Sequence, residues 1–202
     1  MNIDELDIFE IAHDENLSFI VMFHNELKRL LQNEIVYLNK KLEQDGNELS
    51  RRSLKSKNSK EIYLTVLEPN LYIATFLMMF SHAEEWLFHI KQFHAKSISL
   101  DLRKGGITRF TPVLASILGA GFNDTKEWNS LVNFEKIRNC LLHANGRIDL
   151  ARNHQELKNI VSQSNGLLQI KEKRLFISSK YLTEFQVLII GLVSKIKGCM
   201  AP

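Results

Sequence analysis

Apolar residues return every three or four positions over most of this chain, and the places where that rhythm stops divide it into helices. Leu17, Ile20, Val21, Phe23, Leu27, Leu30, Leu31, Ile35, Leu38 and Leu42 keep helical spacing, and Gly46 ends the run. Between Gly46 and Lys60 apolar residues nearly vanish. Arg51, Arg52, Lys55, Lys57 and Lys60 stand there among serines and asparagines, which predicts a mobile basic connection. A second helix is expected from Pro69-Asn70 through His94. Thr111-Pro112 reads as a cap followed by proline in the first turn, opening a short helix that Gly119 or Gly121 stops.

The next helix runs from Asn123-Asp124 to Leu142, and Asn145-Gly146 is the pair expected where a helix ends in a left-handed conformation. The chain then turns polar, with a short helix between Ala151 and Ser162. Leu167-Leu168-Gln169-Ile170 and Arg174-Leu175-Phe176-Ile177, joined through Lys171-Glu172-Lys173, have the pattern of a hairpin. Ser179 is expected to cap a last helix through Leu182, Phe185, Leu188, Ile189, Leu192 and Ile196. The fold class is all-α. A single helical bundle spans residues 1–202, with 46–60 as a flexible connection and a small β-hairpin attached before the last helix.

Composition narrows the class without naming a function. An apolar share of 45% and a charged share of 24% in 202 residues suit one globular domain with a sizeable core. The formal charge of +3 permits a polyanionic partner without demanding one. Two cysteines, Cys140 and Cys199, make no disulfide framework or zinc cluster, and a reducing cytoplasm is expected. The acidic start, Met1-Asn2-Ile3-Asp4-Glu5-Leu6-Asp7, is unlike a signal peptide. The apolar run Leu71 to Phe80 is half the length that a membrane span requires, so a buried core helix and no membrane association are expected.

Chemistry gathers on Ile137-Arg138-Asn139-Cys140-Leu141-Leu142-His143-Ala144-Asn145-Gly146. Arginine offers phosphate a planar fork of donors, and histidine moves protons near neutral pH. Arg138 and His143 lie about 140° apart around a helix axis, yet arginine's reach lets both flank one phosphate. Asn139 is one turn before His143 and in place to orient the imidazole. Each residue also has a structural reading: Arg138 as the ion-pair partner of Glu84 or Glu135, His143 as a donor to helix-end carbonyls. Of Glu84 and Glu85, in an otherwise apolar helix, one should face solvent and the other is a buried acid in need of a partner.

The motif helix is also apolar on two sides. Phe134, Ile137 and Leu141 form one; Trp128, Leu131 and Leu142 lie roughly opposite, which points to other helices of the bundle or to a second subunit. Elsewhere the chemistry thins out. His82, His89 and His94 spread around one helix without a His-Glu-x-x-His, Gly105-Gly106 is a turn, and there is neither a phosphate-binding glycine loop nor a serine elbow. No metal and no cofactor are expected.

Taken with its flanks, Trp128-Asn129-Ser130-Leu131 before it and Asn145-Gly146-Arg147-Ile148 after it, the motif resembles the HEPN superfamily, all-helical domains of many bacterial toxin and defence ribonucleases. The earlier helix Ser81-His82-Ala83-Glu84-Glu85-Trp86-Leu87 extends the resemblance, which covers about residues 70 to 195. It implies a metal-independent endoribonuclease with Arg138, His143 and Asn139 in the active site and Glu84 facing them. It implies further a homodimer whose two motifs meet, an RNA substrate, a toxin or defence role, and an antitoxin on a separate chain. Some toxin members carry tyrosine two residues after the histidine; here Asn145 stands there, so no role of that tyrosine carries over. Arg51, Arg52, Lys55, Lys57 and Lys60 are candidate RNA-binding residues. The alternative is a non-catalytic HEPN-like module that binds RNA, nucleotide or protein.

Overall fold

The first two elements form a long helical hairpin. In a computed structural model, which describes the backbone of residues 5–44 and 51–200, α1 spans Glu5–Gln44 and packs along α2 (Arg51–Ile62) and α3 (Glu68–His94). The expected basic connection is therefore helical from Arg51 onward; its residues 46–50 lie outside the described part. Arginine and lysine are good helix formers, and α1 supplies a surface against which Ser56 is buried.

Nor does α3 begin at Pro69. Helix runs without a break from α2 into α3 through a π turn over Tyr63–Leu67, where the Glu68 N–H donates to the Tyr63 carbonyl. Pro69 explains the widening: its ring crowds the carbonyl four residues back, and an i to i+5 turn relieves the clash. Thr75, Phe76, Met79 and Phe80 are buried as expected of a core helix, while Met78 on the same stretch is exposed. The whole Ser53–His94 helix holds an 18-residue window of mean hydropathy 1.3, 17% of it buried, which by length and composition alone would suffice to cross a membrane.

The remaining helices close the bundle. A 3-10 turn at Gly106–Phe110 leads into α4 (Thr111–Leu118), and another at Ala120–Asp124 leads into α5 (Lys126–His143). Thr125 caps α5, its hydroxyl oxygen accepting from the Trp128 N–H at 3.2 Å, one residue later than the Asn123-Asp124 start read from sequence. A 3-10 turn at Ile148–Leu150 and α6 (His154–Gln163) follow. Strands β1 (Leu168–Lys171) and β2 (Arg174–Ile177) pair antiparallel, Leu168 opposite Ile177, about a tight turn at Glu172 and Lys173, both left-handed at φ 49° and 67°. The last helix, α7 (Ser179–Met200), is capped by Ser178 rather than Ser179: the Ser178 Oγ accepts from the Tyr181 N–H at 3.3 Å. The chain is thus mostly helical with one small hairpin before the last helix.

The centre of the bundle is aromatic. Phe185 of α7 lies 4.7 Å from Phe134 of α5, 5.2 Å from Phe76 and 5.7 Å from Phe80 of α3, centroid to centroid, and Tyr181 sits 4.8 Å from Phe134. Both apolar sides of α5 find cover within the chain. Phe134, Ile137 and Leu141 face this core. Trp128 and Leu131 are buried as well, Trp128 edge-on to Phe122 of the 120–124 turn at 5.7 Å. Leu142 alone of the second side stays half exposed, at 50%. The second face of α5 is therefore largely accounted for without a second subunit.

Three buried histidines mark the seam between α1 and α3. His13 stacks on His82, rings 4.0 Å apart and inclined by 19°, and His82 Nε2 lies 3.1 Å from the His13 carbonyl oxygen. His24 Nδ1 lies 2.8 Å from Thr75 Oγ1, whose hydrogen is donated to the Leu71 carbonyl, so the ring is the donor. Burial lowers all three. His13 falls to about 4, through burial first and the adjoining His82 second, with Asp14 opposing and Lys197 of α7 adding to the fall.

Two measurements test this packing. Phe185→Ala empties the aromatic centre and should cost about 3–5 kcal/mol of unfolding free energy in a denaturant titration; a loss below about 1 kcal/mol would contradict the central place given to that ring. For His13, a lowered folded pKa means stability is complete above the unfolded value of 6.5 and declines as pH falls from there towards 4. The decline attributable to His13 is roughly 3 kcal/mol. In His13→Leu the slope of unfolding free energy against pH in that window should flatten by up to about 1.4 kcal/mol per pH unit, the contribution of one proton; an unchanged slope would refute the assignment.

Candidate functional site

The C-terminal end of α5 is held at several points. The Cys140 carbonyl accepts from the N–H groups of both Ala144 (3.1 Å) and Gly146 (3.0 Å), while Asn145 and Gly146 take left-handed φ of 49° and 73°. Asparagine and glycine are the residues that tolerate this, as the sequence pattern indicated. The strand pair then clamps the exit: the Leu175 N–H donates to the Gly146 carbonyl at 2.8 Å and the Ile148 N–H to the Lys173 carbonyl at 2.9 Å. His143, the last helical residue, is exposed beside this tied loop, and Cys140 behind it is buried, its thiol pKa pushed up by burial.

Arg138 is positioned from three directions. One terminal nitrogen donates to Asn139 Oδ1 at 2.9 Å, the other to Glu84 Oε2 at 3.4 Å, and the guanidinium lies 5.5 Å from the centroid of the Phe80 ring. Both partners of the ion pair are largely shielded, with side chains 20% and 15% exposed. Glu84 thus meets Arg138, whereas Glu85 is exposed. Asn139 does not do what its spacing suggested. Its side-chain oxygen turns to Arg138, and among the described residues no hydrogen bond joins it to His143. The guanidinium, with two N–H groups on offer and a full charge, outcompetes a neutral ring for that oxygen.

Glu135, the other acid within reach on the sequence, faces a different neighbour. It is 7% exposed and accepts from the Thr108 N–H at 2.8 Å. Burial raises its pKa, the bonds from Thr108 oppose that rise, and nearby Glu84 adds to it. Thr108 Oγ1 is 2.9 Å from the Gly105 carbonyl and 3.1 Å from Glu135 Oε1. One hydroxyl hydrogen serves only one of them, so both contacts are satisfied together when Glu135 carries a proton. Gly106 completes this joint. Its φ is 55°, and a Cβ there would come within 2.8 Å of the Glu135 carboxyl. The glycine pair read as a simple turn is therefore a loop pressed onto α5.

That loop, the end of α5 and the 150–153 segment enclose a cleft of about 730 Å³. Arg138, Asn139, Cys140, His143 and Ala144 line one wall, Leu150, Ala151, Arg152 and Asn153 another, and Gly105-Gly106 a third. The structure brings Arg138, Asn139 and His143 to one hollow, with Glu84 behind Arg138. Among the described residues, no carboxylate lines it. Lys55, Lys57 and Lys60 are not part of its lining; they lie on α2, and the side chains of Arg51 and Arg52 fall outside the described residues. Two cleft residues of chemical interest escaped the sequence reading, Arg152 and Leu150. Neither carries a local signal, because only the return of the chain after Gly146 brings them to the cleft that Arg138 lines. Among the described residues, no three His, Cys, Asp or Glu side chains converge as a metal-binding group.

Among the described residues the cleft is lined by two arginines, a histidine and two asparagines and by no acid, which suits it to an anion; the braced arginine can hold a phosphate, and the exposed imidazole can accept a proton. No protein-family model matches this chain, and no curated protein or solved structure matches it either.

Proposed function

We propose that the cleft is the active site of a metal-independent endoribonuclease of HEPN type. The observation that carries this reading is the meeting of Arg138, Asn139 and His143 on one acid-free wall, with Arg138 braced by Glu84. In the proposed reaction His143 accepts the proton of a ribose 2′-hydroxyl as its oxygen attacks the adjoining phosphorus. Arg138 stabilises the charge that grows on the non-bridging oxygens. The bond from phosphorus to the 5′-oxygen breaks, that oxygen takes up a proton from water, His143 returns its proton to solvent, and the products are a 2′,3′-cyclic phosphate and a 5′-hydroxyl. Glu84 is a positioning residue that acts through Arg138. Asn139 serves in the same way, on the arginine and not on the imidazole.

A second reading has its own support. Arg138 already has two partners and His143 lacks an orienting bond from Asn139, as in a non-catalytic HEPN-like module that binds RNA, nucleotide or a protein partner. The toxin or defence role and neutralisation by a separate antitoxin chain rest on the resemblance. Action in the cytoplasm rests on the scarcity of cysteine, and RNA contact by Arg51, Arg52, Lys55, Lys57 and Lys60 on their charge. The homodimer has one physical support of its own: Leu142, next to His143 on α5, is 50% exposed. A second copy covering it would bring two motifs together.

Incubation with total RNA in chelator, with mapping of the ends, tests the reaction. Cleavage giving cyclic phosphate ends is expected, and His143→Ala should reduce it by a factor of about 10² to 10⁴ with an unchanged melting temperature, since the side chain is exposed. Arg138→Ala should lose activity and also some stability, because Glu84 is left shielded and unpaired. Cleavage that survives His143→Ala removes the mechanism. For assembly, light scattering at micromolar concentration should report a dimer, and Leu142→Asp should convert it to monomer; a wild-type monomer rejects the dimer.

A further inference from the structure

Of the basic side chains on and beside the cleft, most are already committed. Arg138 pairs with Glu84, Lys136 with Glu156 at 3.2 Å, and Arg147 with Asp149 at 2.7 Å. Arg152 is different. It is exposed and lines the same cleft as Arg138, and it has no ion-pair or hydrogen-bond partner among the described residues. Leu150, two residues earlier and 65% exposed, lines the same wall. An unpaired guanidinium at the mouth of a cleft without carboxylates keeps its full charge and five donors for a ligand. An exposed leucine beside it offers an apolar surface of the kind on which a base can lie.

We propose that Arg152 holds a second phosphate, next along the strand to the one bound at Arg138 and His143, with the intervening nucleoside against Leu150. The inference deepens the reading of the cleft as a nucleic-acid site and rests on it. It specifies the ligand: an internal stretch of single-stranded polynucleotide with at least two successive phosphates, as distinct from a mononucleotide. The two arginines then divide the work. Arg138, braced by Glu84, Asn139 and Phe80, sets the position of the reacting phosphate. Arg152, unbraced, supplies affinity and polarity along the strand. A cleft of about 730 Å³ falls within the range of small-ligand sites, roughly 300–1,000 Å³, and has room for more than one phosphate group.

The test uses the full chain and two probes. One is a fluorescein-labelled twelve-nucleotide oligomer with 2′-O-methyl riboses, which lacks the attacking hydroxyl and survives binding experiments. The other is adenosine monophosphate. Arg152→Ala should weaken oligomer binding about ten-fold at low salt. It should also lower the slope of log affinity against log salt by about 0.7, the value for one phosphate contact on a single strand, while mononucleotide binding and the melting temperature hold. On a cleavable oligomer the same change should raise KM about ten-fold with kcat little altered, and Arg152→Lys should restore most of both losses. A salt slope unchanged in Arg152→Ala overturns the proposal, as does an equal loss for the mononucleotide or a wild-type protein that binds neither probe. Failure of the ribonuclease reading looks different. If the wild type never cleaves but Arg152→Ala lowers the slope, the second phosphate site stands without the reaction. Cleavage that depends on His143 beside an unchanged slope leaves the reaction standing and removes the Arg152 site.

Discussion

The contact of α3, α5 and α7 through Phe76, Phe80, Phe134, Tyr181 and Phe185 is the constraint on which the rest depends. Four residues after Phe80 comes Glu84; four residues after Phe134 comes Arg138. One helical turn separates each ring from the charged group above it, so packing the rings brings carboxylate and guanidinium to the same height on facing helices. The arginine even uses the core as its floor, lying over Phe80. Aromatic packing in the centre and an ion pair at its edge are two layers of one helix contact, and the lower layer sets the geometry of the upper.

The open side of the cleft depends on backbone more than on side chains. Left-handed residues at Asn145 and Gly146 turn the chain out of α5, and hydrogen bonds with Leu175 of β2 and Lys173 of the hairpin turn fix where it goes. Only then can the 150–153 segment come to line the same cleft as Arg138. On the loop side Gly106 holds a left-handed φ that residues with a side chain rarely adopt, and the buried acid Glu135 holds the loop there through Thr108. The two acids near Arg138 thus have different tasks: Glu84 braces the arginine, and Glu135 fastens the loop.

What the sequence made legible follows the range of the interactions. Helix periodicity, the Asn145-Gly146 exit and the hairpin of Leu168–Lys171 with Arg174–Ile177 are local, and all appear in the structure close to their expected places. The Glu84–Arg138 meeting was also among the pairings open on spacing and composition. The helical state of Arg51–Ile62 was not legible, because its polar composition reads as a loop until α1 is laid beside it. Pro69 misled for a related reason: proline at a helix start and proline after a π turn look alike in one dimension. The cover over Trp128 and Leu131 comes from turns whose approach no periodicity records. Asn139 was misjudged because i to i+4 spacing ranks neighbours by distance, and a charged donor one residue away competed for its oxygen.

The π turn at Tyr63–Leu67 is also a step in phase. A turn closed by i to i+5 bonds holds one residue more than an α turn, so everything before it is rotated by about 100° relative to everything after it. The apolar stripe of α3 that meets the bundle therefore has no straight continuation into α2. Leu54, Ile62, Leu64, Val66 and Leu67 are left on the outside, while Phe76, Met79 and Phe80 go in. One continuous helix in this way presents apolar surface in two directions, inward at one end and to its surroundings at the other.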